Sequence, residues 1–186
     1  MSSSRTWPRI ISRRITKVSP WVELIAREVE FAESERVQTY HALGQRDYVV
    51  IVAVTPDGHI PIVRQYRPAI EAFTLELPAG FIDADEHPAE TCRRELLEET
   101  GFPVRAVHLL GIAAPCTARL SNRMHSFFVK TGERSPTFKP EAGISVELVS
   151  TSQLARLIVT GEFINQTHIG TIMLAELKTY LKLKVD

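Results

Sequence analysis

The sequence lacks the features that mark several specialised classes of protein. It has 22 basic and 22 acidic residues, so it carries no net charge at pH 7 and no basic stretch long enough to follow a nucleic-acid backbone. No apolar run is long enough for a signal peptide or a membrane-spanning helix, and no repeat or low-complexity tract occurs. We therefore expect no nucleic-acid partner, no membrane partner and a cytoplasmic location.

Cysteine is also scarce, since only Cys92 and Cys116 occur. Cys92 falls on the predicted buried face of a helix, so free core thiols are expected rather than a disulfide. The 186 residues are enough to bury a substantial core and fit one domain of ordinary size.

Outside its central stretch, the chain alternates between strand and helix patterns. β-branched and aromatic residues predict two or three N-terminal strands between residues 9 and 43, and the nearly continuous apolar run at 48–54 predicts a central strand covered on both faces. Pro56-Asp57-Gly58 predicts a hairpin turn into the next strand. Further elements are expected in this order: strands at 59–66, 73–77, 107–112 and 124–129, a polar loop at 131–143, a strand at 146–149, a helix from Ser150 or Thr151 to Gly161, and a helix over 166–184 with lysines at its C-terminal end. This order predicts an α+β fold with mixed sheets.

The stretch from residue 80 to 102 has the boundaries of one more helix. Pro88 suits the first helical turn, and Gly101 suits the left-handed position just after the last one. Three side chains between them recur at the spacing of a buried stripe: Ala89, Cys92 and Leu96.

Three carboxylates crowd a different side of this helix. Glu95 and Glu99 are one turn apart, and Glu98 neighbours both. Like charges at this spacing repel each other, and a hard divalent cation relieves the repulsion. Arg94 can pair with Glu98 at i, i+4 and orient it. The acidic face therefore predicts a metal platform for a phosphate-containing substrate; the alternative is a solvated helix face.

Together these residues resemble the Nudix box. The family pattern is glycine, five residues, glutamate, seven residues, then Arg-Glu-aliphatic-any-Glu-Glu-any-Gly-aliphatic, and the chain matches it from Gly80 through Glu86 to Phe102. The resemblance implies the Nudix fold, an α/β/α sandwich with mixed β-sheets in which the box forms a loop-helix-loop. It also implies hydrolysis of a nucleoside diphosphate linked to another moiety, with Gly80, Glu86, Arg94 and Gly101 in structural or orienting roles.

By the same resemblance, Mg²⁺, with Mn²⁺ as the alternative, is held by Glu95, Glu99 and the backbone carbonyl of Ala79. Glu86 and Glu98 are expected in or next to the ligand set. A glutamate on the loop before the last strand is expected to deprotonate the attacking water.

That general base is not at the usual place, because Ile144 aligns near it. Glu141 is the nearest loop carboxylate and the first candidate, Glu147 on the following strand is the reserve, and Glu98 of the box is the third option.

The residues flanking the box resemble the ADP-ribose pyrophosphatase branch of the family. They comprise a Gln-aromatic-Arg-Pro strand end at 65–68 and Glu-aliphatic-Pro-Ala-Gly at 76–80. In that branch the arginine matching Arg67 contacts the substrate diphosphate, as a planar guanidinium can; the alternative for Arg67 is a surface ion pair. One departure is Ala118, where ADP-ribose hydrolases usually carry proline.

Two aromatic residues near the N-terminus resemble an adenine clamp. Trp21 matches a stacking tryptophan, and Tyr40 approaches the position of the second ring; sheet packing is the alternative for each. In this branch N-terminal strands are exchanged between subunits, which implies a homodimer. The expected organisation is a region at 1–45 for dimerisation and base binding, followed by a Nudix hydrolase domain at 46–186.

The resemblance therefore implies metal-dependent hydrolysis of ADP-ribose to AMP and ribose 5-phosphate. Two alternatives remain: a Nudix hydrolase of another nucleotide sugar or dinucleotide, and a Nudix module that senses ADP-ribose without cleaving it.

Overall fold

The structure is a computed structural model that describes residues 7–33 and 35–184. The chain divides into two compact units. Unit 1 comprises Met1–Arg46 and Ala114–Arg123, and unit 2 comprises Asp47–Ala113 and Met124–Asp186. Residues 1–6, which belong to the predicted N-terminal region, lie outside the described residues. Over the described ranges, no helix is both long and apolar enough to cross a membrane.

Unit 1 is built on a three-stranded antiparallel sheet in the order β1-β2-β3, which confirms the predicted N-terminal strands. The strands are β1 (Arg9–Lys17), β2 (Glu23–Glu30) and β3 (Gln38–Gly44). The segment around Leu120 joins β3, because the Leu43 amide donates to the Arg119 carbonyl at 2.7 Å and the Ser121 amide donates back to the Leu43 carbonyl at 3.1 Å. In the part of unit 1 that the structure describes, Ile25 is the one large apolar side chain that is buried.

In the residues that the structure describes, unit 2 contains two sheets and three helices. Its elements are β4 (Tyr48–Val54), β5 (Ile60–Arg67), β6 (Ala72–Glu76), β7 (Ala79–Phe81), α1 (Pro88–Thr100), β8 (Val104–Ala113), β9 (Met124–Thr131), β10 (Ser145–Val149), α2 (Thr151–Val159) and α3 (Gln166–Leu177). One sheet has the order β7-β4-β9-β8 and the other has the order β10-β5-β6. Among the described strands of unit 2, β4 and β9 form the one parallel pair, so the predicted α+β fold with mixed sheets is confirmed.

Strand β4 is covered on both faces, as its continuous apolar run predicts. Successive side chains of a strand point to opposite faces. Val49, Ile51 and Ala53 therefore pack with Cys92 and Leu96 of α1. The alternate residues Val50 and Val52 belong to a second core cluster that includes Ile172 and Ala175 of α3. The two clusters form the layers of an α/β/α sandwich. Cys92 is a free buried thiol, and burial raises its pKa to about 12.

The predicted hairpin between β4 and β5 is wrong. The turn itself is present, because the Thr55 amide donates to the His59 carbonyl at 2.9 Å and the Gly58 amide donates to the Thr55 carbonyl at 2.9 Å. However, β4 pairs with β7 and β9, whereas β5 pairs with β6 and β10. Both edges of β4 are thus occupied by other strands, and the turn carries the chain from one sheet to the next.

The last helix is shorter than predicted. It ends at Leu177, and Thr179 adopts a left-handed φ of 62°. Lys182 and Lys184 therefore lie beyond the helix, so their predicted interaction with its dipole is wrong, whereas Lys178 is the C-cap residue. Leu177 at the end of the helix is apolar but 75% exposed. His168 and Thr171 are buried instead, because each finds a hydrogen-bond partner in the core.

Helix α1 ends as predicted, with Gly101 in the left-handed region at a φ of 77°. The predicted polar loop follows β9 and is tethered to this helix end. The Ser135 amide donates to the Gly101 carbonyl at 2.9 Å, and the Arg134 Nε donates to the Thr100 carbonyl at 2.9 Å. A Cβ at residue 101 would collide with the ring of Phe138. These contacts hold the end of α1 and the loop in position relative to each other.

We predict that Gly101→Ala destabilises the fold by about 2–4 kcal/mol, because it combines a left-handed alanine with a steric clash. Gly58→Ala is the matched control, since Gly58 has a φ of 84° and open space where its Cβ would lie. This control should cost only about 1 kcal/mol. The measurement is urea unfolding of both variants. Equal losses in the two variants would show that Phe138 does not constrain the end of α1.

Candidate active site

Helix α1 begins where its sequence predicts and carries the box carboxylates along β7. Pro88 occupies the first helical position, and the Ala89 amide donates to the His87 side chain at the N-cap. Glu95 packs so closely on Gly80 that a Cβ there would collide with its carboxyl group. The glycine is therefore required for the β7 backbone to approach this helix.

Glu99 and Glu95 are carboxylates with little exposure to water. The Ala79 amide donates to Glu99 Oε2 at 3.0 Å. Burial raises the pKa of Glu99 to about 8, and repulsion from Glu95 contributes to the rise. The hydrogen bond from the Ala79 amide lowers the pKa but does not offset these effects. Burial also raises the pKa of Glu95, although the adjacent Arg94 guanidinium opposes the rise. Both groups are thus held where their charged forms are poorly solvated.

Arg94 holds three carboxylates in place. Its Nε and Nη2 donate to Glu86 at 3.1 and 2.9 Å, and its Nη1 donates to Glu95 at 2.8 Å and to Glu98 at 3.2 Å. The contact with Glu98 is the one that helical spacing predicts, but the bidentate partner is Glu86. The hydrogen bonds from Arg94, together with one from Thr91, lower the pKa of Glu86 to about 2.

Arg67 forms a bidentate ion pair, the alternative that the sequence left open for this residue. Its Nε and Nη2 donate to the two Glu76 oxygens at 2.8 and 2.6 Å, and Thr74 Oγ1 also donates to Glu76. Glu76 is only 2% exposed. Burial would raise the pKa of Glu76, but the hydrogen bonds from Arg67 and Thr74 outweigh it and lower the pKa. The charge of Glu99 also acts on Arg67 and helps to raise its pKa.

His168 is a site residue that sequence reasoning missed. It lies on α3 with 3% of its surface exposed, and its Nδ1 accepts a hydrogen bond from the Leu77 amide at 3.0 Å. Burial lowers its pKa to about 4, so the ring is neutral near pH 7. This bond fixes the backbone between Glu76 and Ala79. The available signal was the position of this histidine, four and seven residues before Ile172 and Ala175 on the buried face of the helix.

The two predicted clamp aromatics lie in unit 1 and are not brought together within the chain. Trp21 is 58% exposed, and the Arg46 guanidinium lies 5.3 Å from the centre of its ring. Tyr40 is 47% exposed, donates to Gln38 Oε1 at 2.9 Å and meets the Phe31 ring edge-on at 5.9 Å. Each ring lines a different cavity of unit 1.

The candidate bases are exposed. The Glu141 carbonyl accepts from the Ile144 amide in a turn just before β10. Glu147 lies on β10 opposite Ile62 of β5. Ala118 is exposed in the segment of unit 1 that joins β3.

The box carboxylates suit a hard divalent cation by their chemistry. Among the described residues, no group of three or more His, Cys, Asp or Glu side chains already stands in ligating geometry, since Arg94 binds Glu95 and the Ala79 amide binds Glu99. Desolvation nevertheless raises the pKa of both Glu95 and Glu99. A cation would stabilise the charged forms that burial disfavours.

We predict that His168 makes the stability of the fold sensitive to acid. Its folded-state pKa of about 4 lies below its ordinary value of 6.5. Between these pH values the unfolded chain therefore binds a proton that the folded chain does not, and stability falls as the pH falls. The loss attributable to His168 should reach about 3 kcal/mol at pH 4.

His168→Asn, which retains an acceptor and cannot titrate, should flatten this dependence in urea unfolding between pH 7 and pH 4. Parallel profiles for the two proteins would contradict the assignment.

Comparison with known proteins identifies the family of this chain. The NUDIX domain matches residues 44–166, more than half of the chain. Over 130 residues the chain is 31% identical to an ADP-ribose pyrophosphatase of Mycobacterium tuberculosis, covering 67% of this chain and 62% of that protein. Over 57 residues it is 42% identical to an ADP-ribose pyrophosphatase of Bacillus subtilis, covering 31% of each. The matches span less than two thirds of the length of these two relatives.

A solved structure, the crystal structure of an ADP compounds hydrolase, shares the fold. Its TM-score is 0.78 at 20% identity, and the match covers 96% of this chain and 97% of that chain. The domain match contains the whole box, with the carboxylates of α1 against β7. This chain therefore belongs to the NUDIX domain family.

Proposed function

We propose that the protein hydrolyses the diphosphate bond of a nucleoside diphosphate sugar, with ADP-ribose as the substrate and AMP and ribose 5-phosphate as the products. The observation that carries the proposal is the pair of desolvated carboxylates, Glu95 and Glu99, held against the Ala79 and Gly80 backbone. Two relatives named ADP-ribose pyrophosphatase support the choice of substrate.

Glu95, Glu99 and the Ala79 carbonyl are the proposed ligands of a divalent cation, Mg²⁺ or alternatively Mn²⁺. When bound, the cation would neutralise charge that develops on the diphosphate. Arg94 orients Glu95 and Glu98 through one nitrogen and fixes Glu86 through two others. These contacts keep the ligand carboxylates in one arrangement before the substrate arrives.

Arg67 is the proposed cationic contact for the diphosphate. Its ion pair with the buried Glu76 restricts the guanidinium, so less conformational freedom is lost on binding. Leu77 follows Glu76 directly, and its amide is held by His168. The same hydrogen bond therefore supports the position of Arg67.

A glutamate is the proposed base that deprotonates the attacking water. Glu141 is the first choice because it is the loop carboxylate nearest the expected position and lies exposed on a turn just before β10. Glu147 is the reserve, although the pairing of β10 with β5 restricts its backbone. Glu98 is the third option.

The proposed base-binding and dimerisation region is the N-terminal sheet, with Trp21 and Tyr40 stacking on adenine. Large apolar side chains stay exposed on its strands, including Ile10, Ile11 and Ile15 of β1. A second copy of the chain would cover them and bring Trp21 of one subunit to Tyr40 of the other.

We predict a homodimer that Ile15→Lys converts to monomer in sedimentation equilibrium, because a charge would be buried in the interface. Leu177→Lys is the control, since Leu177 is exposed on α3 in unit 2. A wild-type protein that sediments as a monomer would refute the dimer.

We predict that activity on ADP-ribose in Mg²⁺ depends on the site carboxylates. Glu99→Gln should lower kcat by at least about a hundredfold, and Glu141→Gln by about 10²–10⁴-fold. Glu147→Gln should remain near wild type. Glu90→Gln is the matched control, since Glu90 lies on the same helix with 65% of its side chain exposed. The assay measures release of phosphate monoesters.

Binding of Mg²⁺ provides a readout that is independent of turnover. It should raise the melting temperature of the wild type and of Glu90→Gln, but not of Glu99→Gln. Full activity of Glu99→Gln would refute the metal assignment, and loss in Glu147→Gln alone would reassign the base.

The alternatives are tested by screening other substrates in the same assay. Ala118, which replaces the proline usual in ADP-ribose hydrolases, favours testing other nucleotide sugars and dinucleotides. Turnover of one of these alone would keep the chemistry and change the specificity. Tight binding of ADP-ribose without turnover would identify a sensing module.

A further inference from the structure

Arg134 attaches the polar loop at 132–144 to the end of α1. Its Nε donates to the Thr100 carbonyl at 2.9 Å. Its guanidinium also lies against two aromatic rings, 5.6 Å from the centre of the Phe102 ring and 4.8 Å from the centre of the Phe138 ring. A planar guanidinium can stack on aromatic faces while its nitrogens donate hydrogen bonds. One side chain therefore connects the last turn of α1, the residues after it and the loop.

The anchored first half of the loop lies next to the proposed metal ligands in the chain. Thr100 directly follows Glu99, so the hydrogen bond from Arg134 is made one residue away from that carboxylate. The Ser135 amide donates to the Gly101 carbonyl at 2.9 Å. Two successive loop residues are thus bonded to the two residues that follow Glu99.

The second half of the loop carries Glu141. Residues 139–143 are exposed, and Gly143 has a φ of 86° with open space where a Cβ would lie. The Ile144 amide donates to the Glu141 carbonyl at 3.1 Å and closes a turn within this half. Because this turn is local, the place of Glu141 depends on where the two ends of the segment are held.

The later of these ends enters β10 beside the proposed diphosphate contact. Ser145, the first residue of β10, pairs with Arg64 of β5, and Arg67 is the last residue of β5. The loop therefore reaches β10 at the end of β5 that carries Arg67. Glu141 precedes Ser145 by four residues, which span no more than about 14 Å of chain.

We propose, on the basis of the proposed function with Glu141 as its base, that Arg134 is a positioning residue for the hydrolysis. By holding the first half of the loop on the end of α1, it sets where the Glu141 carboxylate lies relative to Glu99. In this role Arg134 contacts neither the substrate nor the cation. A base must lie within hydrogen-bond reach of the water that it deprotonates, and a displacement of about 1 Å can cost about a hundredfold in rate.

The test is a double-mutant cycle in steady-state kinetics on ADP-ribose with Mg²⁺. Arg134→Ala should lower kcat by about tenfold or more and leave KM nearly unchanged, because the substrate contacts remain. Arg134→Lys, which keeps the charge and a donor without the planar group, should recover part of the loss. In the Glu141→Gln background, Arg134→Ala should lower kcat by less than about twofold, because the group that it positions is already lost.

Glu133→Gln is the matched control, since Glu133 is an exposed carboxylate in the anchored half of the same loop, and its kcat should stay near wild type. Hydrogen exchange of the Ser135 amide reports on the anchor without turnover, and Arg134→Ala should accelerate it by about tenfold.

An unchanged kcat in Arg134→Ala would overturn the proposal even if exchange at Ser135 accelerates, because the anchor would then serve stability alone. An equal loss in the Glu141→Gln background, or a lower kcat without faster exchange, would also overturn it. A loss of activity in Glu133→Gln instead of Glu141→Gln would place the base in the anchored half and refute the role of Arg134 while leaving the hydrolysis intact. A wild-type protein that hydrolyses no nucleotide substrate would refute the proposed function, and the role of Arg134 with it.

Discussion

The close approach of α1 to the β7 backbone is the constraint on which the site depends. It requires a residue without a Cβ at Gly80 and brings the Glu95 carboxyl onto that backbone. It also brings Glu99 to the Ala79 amide. Both carboxylates have little exposure to water as a result, and burial raises their pKa values. Burial makes the charged forms of these carboxylates unfavourable in the protein alone. A bound cation would remove this penalty, because an opposite charge nearby stabilises the charged form.

Helices on the two faces of the β7-β4-β9-β8 sheet both contact the segment between β6 and β7 or the strand that follows it. On one face α1 packs on β4 through Cys92 and Leu96, which sets the position of the carboxylates. On the other face α3 packs through Ile172 and holds the Leu77 amide with His168. The short segment between β6 and β7 is thus fixed from both sides. A substitution in the core below either helix would therefore move the site without touching a carboxylate.

The sequence predicted the local features well because they depend on neighbours along the chain. Pro88, Gly101 and the apolar run of β4 specify their conformations almost alone. Features that depend on distant partners were missed. The hairpin after β4 failed because strand pairing is decided by β7 and β9. The bidentate partner of Arg94 is Glu86, eight residues away across the loop, and His168 bonds to a residue 91 positions away. No periodicity encodes such contacts.

The chain has no net charge, but its charged residues are unevenly distributed between the two units. By sequence, unit 1 contains ten arginine or lysine residues against five glutamates. Because the whole chain is neutral, unit 2 carries the matching negative excess, which includes the box carboxylates. A diphosphate approaching unit 2 alone would be repelled until cations bind there. The basic unit supplies an attraction of the opposite sign, and charge patterns of this kind raise the local concentration of a charged ligand. The chain is thus neutral because the positive excess of unit 1 and the negative excess of unit 2 cancel.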